Sequence, residues 1–224
     1  MSAPIANRDP QARTPQAGQP QSHSQPSGSQ PSGAKASESS HADRPFLSDV
    51  KTLRQRARQA IEEGAVTPGY DADRKAVCRV LNEALATEIV CVLRYKRHYF
   101  MADGIHAESV KAEFKEHAAE EQKHADQIAE RIVQLGGEPD LDPKSLASRS
   151  HAEYVEGETL VDMIREDLIA ERIAIESYRE IVAWLGSADS TTRRLMEEIL
   201  AMEEEHADDL VSLLRGMKDG LPKT

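Results

Sequence analysis

Two short runs in this 224-residue chain pair a glutamate with a histidine three residues on: Glu121 with His124 in EQKH, and Glu203 with His206 in EEEH. On a helix that spacing puts both side chains on one face, one turn apart. Two more glutamates, Glu88 and Glu171, stand singly inside apolar stripes. Carboxylate oxygens with imidazole nitrogens form a hard, mixed donor set that suits iron or manganese. One Glu-x-x-His pair is common on a charged helix and carries no weight alone. Two pairs and two single glutamates, spread over four helices, require a shared cause.

The stripes make the case. The first reads Val77, Leu81, Ala84, Glu88, Val92, Tyr95, Tyr99, and the second Val110, Phe114, Glu121, His124, Ile128, Ile132, Leu135. The third reads Leu160, Ile164, Leu168, Glu171, Ile175, Tyr178, Val182, Leu185, and the fourth Leu195, Ile199, Glu203, His206, Leu210, Leu213, Met217. An ionised carboxylate in such a core costs several kcal/mol unless something compensates it. Counted from their helix starts, Glu88 lies about fifteen residues in, Glu121 about fourteen, Glu171 about twelve and Glu203 about thirteen. Near-midpoint residues are the ones that meet at a single level of an antiparallel bundle. Two metal ions at that level would neutralise the buried charge, so all six residues are expected to be metal ligands and the catalytic site.

The elements that must hold them are four long helices, and no strand is expected. They run from about Asp73 to Ala102, Ala107 to Leu135 (stopped by Gly136 and Gly137), Thr159 to Leu185, and Ser190 to Met217. Short links make the first and second helices one antiparallel hairpin, and the third and fourth another. The connector between hairpins, about 22 residues with two prolines, reaches roughly 70 Å when extended. A 28-residue helix is about 42 Å long, so the connector spans the bundle and starts the third helix beside the first. Upstream, SDVKTLRQRARQAIEEG reads as a short accessory helix within 46–66, capped by Ser48 and ended by Gly64. Its stripe of Val50, Leu53, Ala57, Ala60 and Ile61 is expected to pack on the domain or on another subunit.

Composition bounds the rest. Residues 1–45 are rich in proline, glutamine and serine and have too little apolar surface to offset the entropy of ordering, so a disordered tail is expected there. The formal charge of −11 argues against nucleic acid as a partner of the body, because phosphate binding needs a basic face. Cys78 and Cys91 provide neither a disulfide framework nor a four-cysteine metal site. No apolar run approaches a membrane span and no signal-peptide pattern opens the chain, so a soluble, cytoplasmic protein is expected.

At these same residues the chain resembles the bacterioferritin branch of the ferritin-like superfamily. The stretches that carry the likeness are LNEALATEIVCVLRYKRHYF, EFKEHAAEEQKHADQIAERIVQLGGEP, EDLIAERIAIESYREIV and EILAMEEEHADDL, with both Glu-x-x-His pairs continuing as His-Ala-Asp. The resemblance covers about Lys75 to Leu214. It implies an all-α, ferritin-like four-helix bundle over 70–218, two antiparallel hairpins joined by a long crossover, with the extra N-terminal helix outside it. It implies two iron ions per subunit, with manganese as the other option. Glu88 with His124, and Glu171 with His206, would each be terminal ligands to one ion, and Glu121 and Glu203 would bridge. The implied activity is ferroxidase, oxidising Fe(II) with O2 or H2O2 for iron storage, detoxification and protection against oxidative stress. The alternative is a non-storage di-iron or di-manganese oxidoreductase of peroxidase or catalase type.

Two departures stand out. Where bacterioferritins hold haem through a methionine after the bridging glutamate, this chain has Gln122, so haem is not expected. Only 18 residues follow His206, short for the fifth helix of a 24-subunit shell, which leaves a twelve-subunit cage or a dimer open. Tyr95 is read as a core tyrosine bonded to a ligand, and Cys91 as a small buried hydrophobe. His117 is read as an exposed helical histidine.

Overall fold

The computed structural model describes residues 48–219, so the tail expected over 1–45 lies outside the described residues. Helix α1 covers Val50–Arg56, α2 Arg74–Met101, α3 Ala107–Gln134, α4 Leu146–Arg149, α5 Leu160–Leu185 and α6 Ser190–Asp219. A 3-10 turn occupies Ile61–Glu63, and the described residues contain no strand. The four long helices are those read from the apolar periodicity, and their ends follow from local chemistry. Asp73 caps α2 by accepting from the backbone N–H groups of Lys75 and Ala76 at 3.0 and 3.2 Å. Thr159 and Asp162 cap α5 reciprocally, each side chain accepting from the other's backbone N–H.

Helix α3 ends in a glycine pair with separate tasks. The Gly136 N–H bonds the Val133 carbonyl and the Gly137 N–H the Ile132 carbonyl, both at 2.9 Å, with Gly136 in the left-handed region at φ 76°. A Cβ on Gly137 would lie 2.7 Å from Cys78 Sγ, so this glycine lets α3 close on the start of α2.

Helix α2 packs antiparallel on α3 and α5 on α6, while α2 lies beside α5 and α3 beside α6. This is the expected pair of hairpins. Two large apolar clusters make up most of the core. One holds Leu81, Leu85, Ile128, Ile132, Tyr178, Met196 and Ile199 among others. The other gathers Tyr95, Val110, Phe114, Ile164 and Leu210. On every helix the first cluster lies to one chain direction of the interrupting glutamate and the second to the opposite one. A polar layer is therefore sandwiched between two hydrophobic plugs.

The crossover is more structured than its composition indicated. It contains α4, whose Leu146 packs on Ala86 and Val90 of α2. Helix α2 then binds its backbone step by step. Asn82 accepts from Asp140 N (2.7 Å), Thr87 Oγ1 accepts from His151 N (2.9 Å), and Arg94 donates to Glu153 O (3.0 Å). His98 Nε2 reaches the Glu156 carbonyl at 3.0 Å. From Asn82 to His98 is about 24 Å along the helix at 1.5 Å per residue.

The accessory helix needs correction. Its cap is Asp49, which accepts from Lys51 N and Thr52 N, not Ser48. It stops at Arg56, and Ala60 sits at φ 46°, so the chain turns before the 3-10 segment. Val50, Leu53 and Ile61 are exposed, and α1 buries none of its residues. Without a surface to bury its stripe against, a seven-residue helix has only its cap and its own hydrogen bonds to hold it.

Candidate metal centre

All six residues singled out by the interrupted stripes are at most 3% exposed and meet in the polar layer. They form two overlapping groups, each with donor atoms within 4.8 Å of one another: Glu88, Glu121, His124 and Glu203, and Glu121, Glu171, Glu203 and His206. Glu121 and Glu203 belong to both. His124 Nδ1 lies 3.2 Å from Glu203 Oε1, 3.4 Å from Glu88 Oε2 and 3.7 Å from Glu121 Oε2. His206 Nδ1 lies 3.2 Å from Glu121 Oε1, 3.4 Å from Glu203 Oε2 and 3.9 Å from Glu171 Oε2.

Each hairpin supplies the same half-site. Tyr95 follows Glu88 by seven residues and Tyr178 follows Glu171 by seven. The hydroxyls cross over, Tyr95 donating to Glu171 Oε1 and Tyr178 to Glu88 Oε1. One oxygen of each outer glutamate is thereby held by a tyrosine, and the second is left free to face the centre.

Those second oxygens have no hydrogen-bond partner. Neither do Glu121 Oε1, both oxygens of Glu203, or Nδ1 of His124 and of His206, although all are buried. Buried polar atoms are nearly always satisfied, and each orphan costs about 1–3 kcal/mol. Seven of them converging on one layer fit cations as the missing partners, and the donor types suit iron or manganese. Glu120 completes the orientation. Its Oε2 lies 2.8 Å from His206 Nε2, so the N–H on that nitrogen leaves the lone pair on Nδ1 directed inward.

The electrostatics carry the same imprint. Burial, with Glu121 beside it, pushes Glu88 up to about 8. Burial and the charges of Glu121 and Glu203 hold Glu171 well above the usual carboxylate range. Burial and Glu88 also press Glu203 upward, but the two imidazoles beside it prevail and keep it low. Burial opposes charge on His124 and His206, yet the surrounding carboxylates raise each to about 12. In the absence of ions, protons are what temper the clustered charge.

Three participants were not anticipated. Tyr178 fits an apolar stripe without interrupting it, and Glu120 flanks an expected ligand on a charged helix. His117 was expected on the surface, but it is 2% exposed and stacks on His206 with ring centroids 4.1 Å apart. Burial and His206 push its imidazole down to about 3. Tyr95 and Cys91 are where they were expected, the first bonded to Glu171 and the second buried against Ala152 and Ala170. Gln122 donates to Asp126 Oδ1 at 2.9 Å.

With this geometry established, comparisons give it relatives. The ferritin-like domain matches residues 78–219. A bacterioferritin of Desulfovibrio desulfuricans is 31% identical over 140 residues, covering 62% of this chain and 74% of its own. A solved structure of that organism's bacterioferritin, described with a diiron site in different catalytic states, is similar at TM-score 0.59 and 27% identity, over 66% of this chain and 82% of the other. A bacterioferritin-related protein of Bacteroides fragilis, described as a dodecameric thioferritin, is similar at TM-score 0.64 and 34% identity, over 68% of this chain and 94% of that one. A nutrient stress-induced DNA-binding protein of a Nostoc species is 31% identical over 78% of this chain and 95% of its own.

Proposed function

The chain belongs to the ferritin-like family, and from that premise we propose that its polar layer is a dinuclear ferroxidase centre, oxidising Fe(II) to Fe(III) for iron storage and detoxification. The observation that carries the proposal is the sharing of Glu121 and Glu203 between two four-residue donor groups. Two ions in those groups would be bridged by these two carboxylates. Glu88 with His124, and Glu171 with His206, would each complete one ion's ligands. The D. desulfuricans diiron structure supports iron as the metal. Paired iron ions supply one electron each, which together match the two-electron reduction of O2 or H2O2.

The chain's own residues do the rest. Tyr95 and Tyr178 hold one oxygen of each terminal glutamate so that the other points inward. Glu120 fixes the ring of His206. The apolar clusters above and below exclude bulk water, which strengthens the electrostatics inside. Glu88, Glu171 and the two imidazoles hold their protons more tightly than usual, and they would have to give them up to hold two dications.

Aerobic Fe(II) oxidation by purified metal-free protein tests the reading, followed by the ultraviolet absorbance of ferric product. Acceleration over buffer is expected, with loss of at least about tenfold in Glu121→Gln and Glu203→Gln. Buffer-like rates, or variants indistinguishable from the parent, would discard it. A particle that turns over peroxide yet retains no ferric core would instead indicate the non-storage oxidoreductase.

A further inference from the structure

Outside the dinuclear centre, one buried side chain points its donor atom at uncompensated charge. His117 on α3 lies with Nδ1 3.2 Å from the Tyr95 hydroxyl. That hydroxyl donates its own proton to Glu171, so its oxygen accepts from the His117 Nδ1–H. The lone pair of the imidazole is then on Nε2. It faces Glu113 Oε1 at 3.5 Å and, across the groove on α6, Asp209 Oδ2 at 3.9 Å. One donor atom from each of the three lies within 4.8 Å of the others. Among the described residues no lysine or arginine comes within ion-pair distance of either carboxylate, and Glu113 and Asp209 remain 29% and 48% solvent-exposed. Three electron-pair donors thus converge with no donor hydrogen or cation between them, at a position that solvent can reach.

We propose that Glu113, His117 and Asp209 form a third divalent-cation site in the α3–α6 groove, separate from the dinuclear centre and staging cations for it. One imidazole nitrogen and two carboxylates, with water filling the remaining positions, suit a first-row transition ion. Its link inward is built from shared histidines. His117 also belongs to a donor group with Glu120 and His206, and His206 belongs to the dinuclear centre. Three donor groups therefore succeed one another from solvent to core, each sharing a histidine with the next. Glu120, whose Oε2 lies 2.8 Å from His206 Nε2, is the carboxylate of the middle group.

The test uses the full chain and Co(II), which marks positions by anomalous scattering and does not oxidise readily on oxygen and nitrogen ligands. The variant is Glu113→Gln with Asp209→Asn, which leaves His117 and the stacked rings in place and alters two partly exposed side chains. Crystals of the parent soaked in Co(II) are expected to show a peak between Glu113, His117 and Asp209 besides those of the centre. In the variant that peak disappears, and equilibrium dialysis gives one fewer bound Co(II) per chain. Stopped-flow absorbance is expected to show the centre loading about tenfold more slowly in the variant, as for a lost electrostatic guide. Absence of the outer peak in the parent, or its persistence in the variant, overturns the site. Unchanged loading with the outer ion lost overturns its staging role. Because the proposal rests on an inner centre only for that role, an outer peak beside an empty centre would reject the dinuclear reading and leave the outer site standing.

Discussion

Each of the six central side chains is expensive to bury alone, and their protonation records how the metal-free protein tolerates them. Glu88 is raised from an ordinary 4.5 to about 8, and His124 and His206 from 6.5 to about 12. A raised folded-state value means the folded chain holds the proton more tightly. The associated stability is complete below the unfolded value and is lost as pH rises through the folded one. Glu88 therefore costs stability between about pH 4.5 and 8, and the histidines from about 6.5 upward; Glu203, held low, works the other way. Ions need these groups deprotonated, so loaded protein has the opposite trend. Thermal melts of metal-free and Mn(II)-loaded protein should diverge as pH goes from 5 to 8, and Mn(II) binding should release protons into weak buffer. At a hundredfold excess over its dissociation constant each ion adds about 2.7 kcal/mol. A gap that narrows with rising pH would refute this account. Tyr95→Phe should cost metal-free protein about 1–3 kcal/mol in urea unfolding, because Glu171 Oε1 loses its donor. The six residues were legible because each breaks an apolar stripe near mid-helix. Tyr178 and Glu120 were not, since a tyrosine fits an apolar stripe without breaking it and a flanking glutamate looks solvated. His117 misled for a related reason: its burial depends on the rings of Tyr95 and His206, which no single-helix pattern displays.

At the scale of elements, the hairpins follow from local signals that agree with one another: Asp73 and Thr159 at starts, Gly136 and Gly186 at ends, and three-to-four spacing between. The crossover follows from something nonlocal. Arg94 and His98 on α2 both bond Asp167 of α5, at 2.8 Å each, and both also hold crossover carbonyls. All three side chains are buried. None of the three belongs to the apolar stripes, and charged residues on a face off the stripe would ordinarily be read as solvated, so the sequence pattern concealed them. The crossover covers that face and is held by it. Asp167→Ala would leave a buried guanidinium with no carboxylate partner, and a loss of about 3–5 kcal/mol is expected in chemical denaturation. Backbone amides of 151–157 should then exchange with deuterium faster than those of α3. A loss under about 1 kcal/mol would show that the network contributes little beyond packing. The accessory segment is the converse case: its apolar spacing is real, but in a single chain it meets no surface, and α1 ends after Arg56.

For the molecule as a whole, the unspent apolar surface bears on assembly. Phe100, Met101 and Ile105 at the α2–α3 corner, Ile169 and Trp184 on α5, and Ile61 beyond α1 are all exposed in the isolated chain. Large apolar side chains grouped at a corner and along one helix favour contacts between copies, and closed symmetric assemblies are the usual way a chain covers such surface without forming fibres. Twelve copies of a 24.8 kDa chain have a mass of about 300 kDa, so native mass spectrometry or light scattering should give that value rather than that of a dimer. An acidic chain, with a net −11, would give such a particle a surface that gathers Fe(II) and repels DNA. Gel shifts of the full chain, and of one beginning at Ser48, should therefore both leave DNA unretarded at physiological salt. Retardation by the full chain alone would assign a nucleic-acid role to residues 1–47, and retardation by both would contradict the charge argument itself. Replacing Phe100 and Ile105 together with serine should lower the native mass while leaving Co(II) uptake at the dinuclear centre intact, because neither side chain belongs to a donor group. If the mass stays near 300 kDa, the corner is not a subunit contact and the assembly must rest on other faces.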